Sequence, residues 1–149
     1  MRRPSRAVLA GGATTALWIG AVLLTHASGT SSIIEALNTL GQVSRLLLTA
    51  GIPGGLVTGV LADEYAPLMK EGFMASVGGA AAVVAAVGVY GIALSITLGY
   101  GADSVLSFMF TGPSMFTFFL LLPLLAMEGV VFALLSNAVW GRLQQQAAV

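Results

Sequence analysis

The chain of 149 residues contains no cysteine and one histidine, and charged residues make up only 8% of it. The lack of cysteine excludes disulfides, thiolate metal sites and cysteine nucleophiles. A single histidine does not provide the clustered imidazoles that bind haem or zinc. Basic and acidic residues balance at six each, so no basic surface for nucleic acid is indicated. We therefore expect no metal, no cofactor and no nucleic-acid partner. Without a nucleophile, base and orienting acid, we also expect no enzyme.

Most residues of the chain are apolar. Hydrophobic residues account for 57% of the sequence, and its mean hydropathy is +0.95. Soluble domains carry about 25% charged residues, so this composition predicts an integral membrane protein. A chain of this length has room for about four spanning helices of roughly 20 residues, joined by short connections. We expect an all-α, four-transmembrane-helix bundle that forms one membrane domain. The predicted spans cover approximately residues 7–25, 46–62, 73–99 and 114–140.

The first apolar run follows Arg2, Arg3 and Arg6, and two interpretations of it stay open. Its length is sufficient for a transmembrane helix. A secretory signal peptide is the alternative, because residues 25–27 resemble a small-residue cleavage site after a basic start. Cleavage there would remove residues 1–27 and leave three spans.

An amphipathic helix is predicted between the first and second spans. Ser32 and Glu35 form a capping-box pattern, and apolar residues recur at helical spacing from Ile33 onward. This helix is expected at the outer membrane surface. Pro53 lies inside the second span, where it should kink the helix or restart it.

The distribution of basic residues predicts the orientation in the membrane. If the N-terminus is inside, every lysine and arginine except Arg45 lies on the cytoplasmic side. The positive-inside rule therefore predicts a multi-pass protein of the cell membrane with both termini cytoplasmic.

Glycines at helical spacing predict close helix packing. Gly51, Gly55 and Gly59 lie four residues apart, so they form one smooth strip on a helix that another helix can approach closely. The third span has the same spacing and is the predicted partner of this strip in a tight hairpin. Its predicted packing positions are Gly78, Ala82 and Ala86, followed by Gly91, Ser95 and Gly99.

Glu128 is the one acidic residue predicted near the middle of a span, where an ionised carboxylate is costly unless it is paired. Counting by depth places Thr14, Thr15 and Tyr90 near its level. Two roles stay open for this candidate site. Glu128 either binds a proton or cation, or forms a hydrogen bond that joins two helices.

Two family resemblances follow from these segments. The glycine-rich residues 54–62, the short acidic connection and residues 72–79 resemble small glycine-rich four-span membrane proteins of unknown function from halophilic archaea. That resemblance implies a membrane bundle and brings no activity or site residues. The context of Glu128 in residues 126–129 is also similar to the ion-binding helix of rotary ATPase proteolipids. However, residues 101–113 lack the basic residues of a stalk-facing connection.

The function expected from the sequence is that of a small non-enzymatic polytopic membrane protein. It would act as a structural or accessory subunit that self-associates or joins other membrane subunits within the lipid bilayer. The alternative is translocation of a proton, a cation or a small solute, centred on Glu128.

Overall fold

The computed structural model describes residues 5–26, 46–62, 67–99 and 112–147, and all regular secondary structure in these residues is helical. The four helices are α1 (Arg6–His26), α2 (Gly51–Leu61), α3 (Leu68–Thr97) and α4 (Gly112–Ala147). The predicted all-α class with four helices is confirmed. The amphipathic helix predicted from Ile33 lies outside the described residues.

Within the described residues, two helices are long and apolar enough to cross a membrane by themselves. These are Leu68–Thr97 and the part of α4 from Leu121–Ala147. The apolar segments Arg6–Val22 and Gly51–Leu61 are shorter. The predicted arrangement of four spans therefore stays a prediction.

Helix α2 begins later than its predicted span because the chain turns at residues 48–50. Pro53 is the third residue of α2, in the first turn, where backbone N–H groups have no partner within the helix. The carbonyl oxygen of Thr49 accepts a hydrogen bond from the nitrogen of Ile52 at 3.2 Å. Pro53 was predicted either to kink the helix or to restart it, and the structure shows a restart.

Helices that follow one another in the chain run in opposite directions. Gly11 of α1 lies against Thr58 of α2, whereas Thr15 lies against Gly54, so rising numbers on α1 meet falling numbers on α2. The contacts between α3 and α4 follow the same antiparallel order. The four described helices therefore run up, down, up and down.

The helices around the bundle do not follow chain order. The most extensive contact of α2 is with α4, which runs parallel to it, and α1 likewise packs on the parallel α3. The contact between α2 and α3 is the smallest of the five main helix pairs. Around the bundle the order is thus α1, α2, α4 and α3.

The basic residues of the described segments lie at one end of this bundle. Arg6 begins α1, Lys70 lies in the first turn of α3, and Arg142 lies near the end of α4. Because α4 is antiparallel to α3, its end lies beside the start of α3.

Small side chains make up much of the bundle interior. Ala50, Ala75 and Ala133 are completely buried. One cluster of larger residues includes Ile19 and Leu125. Since small side chains fill little space, the helix backbones approach closely.

Candidate functional site

The predicted glycine strip of α2 packs against α4. A methyl group at Gly51 would lie 2.5 Å from the carbonyl oxygen of Leu125, and one at Gly55 would lie 2.6 Å from that of Gly129. A methyl group at Gly59 would overlap Ser136. The strip is thus a packing surface in the structure, but the prediction that α3 is its partner was wrong. Residue spacing identifies the face of a helix, whereas the neighbour of that face depends on the whole bundle.

The predicted packing stripe of α3 lies largely outside the bundle. Gly78 has no atom within 4 Å of a methyl group placed on it, and Ala82 and Ala86 are exposed. Further along, Gly91 is half-buried and Ser95 is buried. Beyond the end of α3, Gly99 has a φ of 80° and no neighbour within 4 Å of an added methyl group.

Gly129 lies where α2, α3 and α4 meet. A methyl group on it would overlap the Ser76 hydroxyl and lie 2.6 Å from the carbonyl oxygen of Gly72. On the α2 side, its own carbonyl oxygen lies against Gly55. Real Cβ atoms do not approach other atoms so closely, so this position accepts only glycine without movement of the helices.

A second glycine contact joins α1 to α2 and α3. A methyl group at Gly11 would lie 2.7 Å from the carbonyl oxygen of Gly54, and one at Gly54 would lie 2.8 Å from that of Gly11. On the α3 side, a methyl group at Gly79 would lie 2.7 Å from Cβ of Thr15.

Sequence reasoning missed both contacts, although each carries a four-residue spacing of small residues. The spacing occurs in Gly11–Thr15, Gly72–Ser76 and Gly129–Ala133.

Two buried hydroxyl groups have no hydrogen-bond partner in the described part of the chain. They are Oγ1 of Thr15 and Oγ of Ser76. Thr15 lies against Gly54 and Ser76 lies against Gly129, so each oxygen contacts a glycine at a helix crossing. This geometry is that of a weak Cα–H···O interaction.

Glu128 caps the N-terminus of α2. Its Oε2 accepts a hydrogen bond from the backbone nitrogen of Gly51 at 3.2 Å. Gly51 is the first residue of α2, and the preceding Ala50 provides no side-chain cap. A carboxylate is favourable here because the N-terminus of a helix carries partial positive charge and free N–H groups.

The other end of α2 is held by the same neighbouring helix. Nδ2 of Asn137 donates a hydrogen bond to the carbonyl oxygen of Gly59 at 3.0 Å. Gly59 lies in the last turn of α2, where carbonyl groups have no partner within the helix. Helix α4 therefore satisfies one backbone group at each end of α2.

A side chain of α1 holds the turn before α2. Nε1 of Trp18 donates a hydrogen bond to the carbonyl oxygen of Leu46 at 3.3 Å. Oγ1 of Thr49 donates to the same oxygen at 2.9 Å.

The structure does not bring the predicted companions of Glu128 to its carboxylate. Thr14 donates to the carbonyl oxygen of Ala10 at 2.9 Å, and Thr15 faces Gly54. The Tyr90 side chain is 69% exposed. The site as described is thus one carboxylate on one backbone N–H group. No cluster of three or more potential metal-ligating side chains occurs in the described residues.

Glu71 is a buried acid that the sequence analysis did not single out, because the third span was predicted to begin after it. Helix α3 begins at Leu68 and includes Glu71 in its first turn. Its side chain is 9% exposed, and its Oε2 has no hydrogen-bond partner within the described segments. The start of α3 favours its negative charge.

No protein-family model matches the chain, and neither the curated proteins nor the solved structures include a match to it.

Proposed function

We propose that this chain is a small integral membrane protein with a structural or accessory role, which associates with copies of itself or with other membrane subunits. The carrying observation is the apolar outer surface of the bundle. Leu17, Leu24 and Met127 are 73%, 79% and 64% exposed, and many other large apolar side chains are exposed as well. Such a surface favours lipid over water as its surroundings, since water-exposed apolar patches of this extent promote aggregation.

The outer face of α3 supports association within the membrane. This face carries the exposed small residues Gly78, Ala82 and Ala86. Small residues allow another helix to approach closely in lipid. The predicted α3 stripe is therefore proposed as a contact between subunits.

The position of the basic residues supports the proposed orientation. Arg6, Lys70 and Arg142 lie at the end of the bundle where the chain enters α1 and leaves α4. The positive-inside rule expects this end in the cytoplasm.

The mass of the intact protein in native lipid particles tests the proposed association. We expect a stable oligomer or a larger complex, and we expect Ala82→Leu to reduce its mass by blocking close approach. Ala138→Leu is the matched control, because Ala138 is an exposed alanine on α4. A monomer in the unmodified protein would overturn the association. Equal effects of Ala82→Leu and Ala138→Leu would contradict the proposal that α3 forms the contact between subunits.

Translocation centred on Glu128 is the second candidate function. The observation that favours it is that α2 begins beside Glu128, close to the middle of α4. Helices that end inside a membrane domain often form the ion or substrate sites of transporters. Reconstituted protein should then carry a pH-dependent ion flux that Glu128→Gln abolishes. No flux in the parent protein would leave the structural role, whereas a flux that persists in this variant would show translocation that does not depend on Glu128.

A further inference from the structure

A groove of about 290 Å³ runs along the outer surface between α2 and α4. Its one polar side chain, Ser136, donates its hydroxyl to the carbonyl oxygen of Ala133 at 3.3 Å, so the lining presents apolar groups. The apolar lining consists of Leu56 and Val60 from α2 and Phe132, Leu135, Val139 and Trp140 from α4.

The positively charged side chain of Arg142 lies beyond this groove, toward the basic end of the bundle. Leu135, Val139 and Arg142 are spaced four and three residues apart, so they share one face of α4. Arg142 is exposed, and its own segment, residues 129–149, contains no acidic side chain. The apolar groove thus ends near an exposed guanidinium group.

Trp140 lies between the apolar and charged parts of this surface. Its side chain lines the groove and is 43% exposed. Tryptophan favours the membrane interface, where its ring contacts acyl chains and its N–H group contacts head groups. The position of Trp140 therefore matches the junction between an acyl chain and a head group.

We propose that this groove binds one anionic phospholipid of the cytoplasmic leaflet, with an acyl chain along α2 and α4 and its phosphate at Arg142. The proposal rests on the membrane location proposed above. Charge complementarity selects this occupant, because a guanidinium group binds phosphate through paired hydrogen bonds and the cytoplasmic leaflet is anionic.

Fluorescence quenching of Trp140 by brominated lipids tests the proposal. The Trp18→Phe variant leaves Trp140 as the single tryptophan. This variant is placed in vesicles that contain a minor fraction of either phosphatidylglycerol or phosphatidylcholine, each brominated on its acyl chains. We expect stronger quenching by phosphatidylglycerol, and an apparent affinity about fivefold weaker in Arg142→Gln. Lys70→Gln, which removes a charge at the same end of the bundle, should retain the preference.

A groove-filling substitution tests the acyl-chain part separately. Val60→Phe should reduce quenching by both lipids, whereas Val131→Phe, at an exposed position on α4 outside the groove lining, should not. Equal quenching by the two lipids, or equal losses in Arg142→Gln and Lys70→Gln, would overturn the proposal. If Trp18→Phe does not fold, the Trp140 signal is the difference between the parent protein and Trp140→Phe. Failure to float with vesicles would instead contradict the membrane location itself.

Discussion

Glu128 and Gly51 join the middle of α4 to the first residue of α2 through a hydrogen bond of 3.2 Å. Helix α2 has only 11 residues, and a helix of that length is marginal unless its neighbours stabilise it. Asn137 contacts its last turn, so α4 holds α2 from both ends. The partly buried Glu128 therefore has a structural partner that explains its position in an apolar helix.

Glu128→Ala should destabilise the bundle, whereas Glu128→Gln should change its stability little. The amide oxygen of glutamine accepts the Gly51 hydrogen bond, but alanine leaves the start of α2 without a cap. We expect a loss of about 1–2 kcal/mol for alanine and less than about 0.5 kcal/mol for glutamine. Thermal unfolding in one detergent measures both variants. Equal losses would show that the charge, rather than the hydrogen bond, is what α2 requires.

Gly129→Ala should be more damaging than its one added methyl group suggests. That methyl group would overlap the Ser76 hydroxyl and approach the backbone of Gly72, so two helices must move apart. Overpacking of this kind costs about 1–3 kcal/mol.

Gly20→Ala is the matched control for this substitution. Position 20 has open space, and alanine favours a helix over glycine by about 1 kcal/mol. We therefore expect opposite changes in the midpoint of thermal unfolding. A neutral Gly129→Ala variant would contradict the three-helix contact.

Asn137→Ala should cause a smaller loss than Gly129→Ala. It removes the hydrogen bond to the carbonyl oxygen of Gly59 without forcing helices apart. Hydrogen bonds between membrane helices contribute about 0.6 kcal/mol on average, and we expect a loss of this order. Gln144→Ala, at an exposed position of the same helix, should have no effect on thermal unfolding. Because alanine has a higher helix propensity than glutamine or asparagine, a loss as large for Gln144→Ala would show that the loss in Asn137→Ala does not come from its hydrogen bond to Gly59.

The sequence was sufficient to predict the helices and the buried face of α2, because both follow from local patterns. Hydropathy located the four helices, and the spacing of Gly51, Gly55 and Gly59 identified a surface that is buried in the structure. The partner of that surface could not be predicted in this way. The same four-residue spacing in the next span favoured α3, but α2 packs most extensively on the parallel α4, whose contact depends on glycines far away in the chain.

The site at Glu128 was also predicted only in part, because local sequence patterns do not show which distant group contacts a side chain. The apolar surroundings of Glu128 in the sequence indicated a residue that needs a partner, and the partner is a backbone N–H group. A sequence pattern of side chains does not reveal such a donor. It became available because the chain turns at residues 48–50 and α2 starts at Gly51. Thr14 and Thr15 were expected nearby from depth alone, but depth does not specify which side of a helix a residue occupies.

The absence of cysteine allows a direct test of the orientation, because single substitutions introduce the only reactive thiol. Gln146 lies near the end of α4 and Leu98 follows α3, so the antiparallel helices place them at opposite ends of the bundle; both are exposed. In intact cells, a membrane-impermeant maleimide should label Leu98→Cys, and it should label Gln146→Cys only after the membrane is permeabilised. Labelling of Gln146→Cys alone would reverse the orientation predicted from the basic residues. Labelling of both variants in intact cells would mean that these two ends face the same side, which would contradict a spanning bundle.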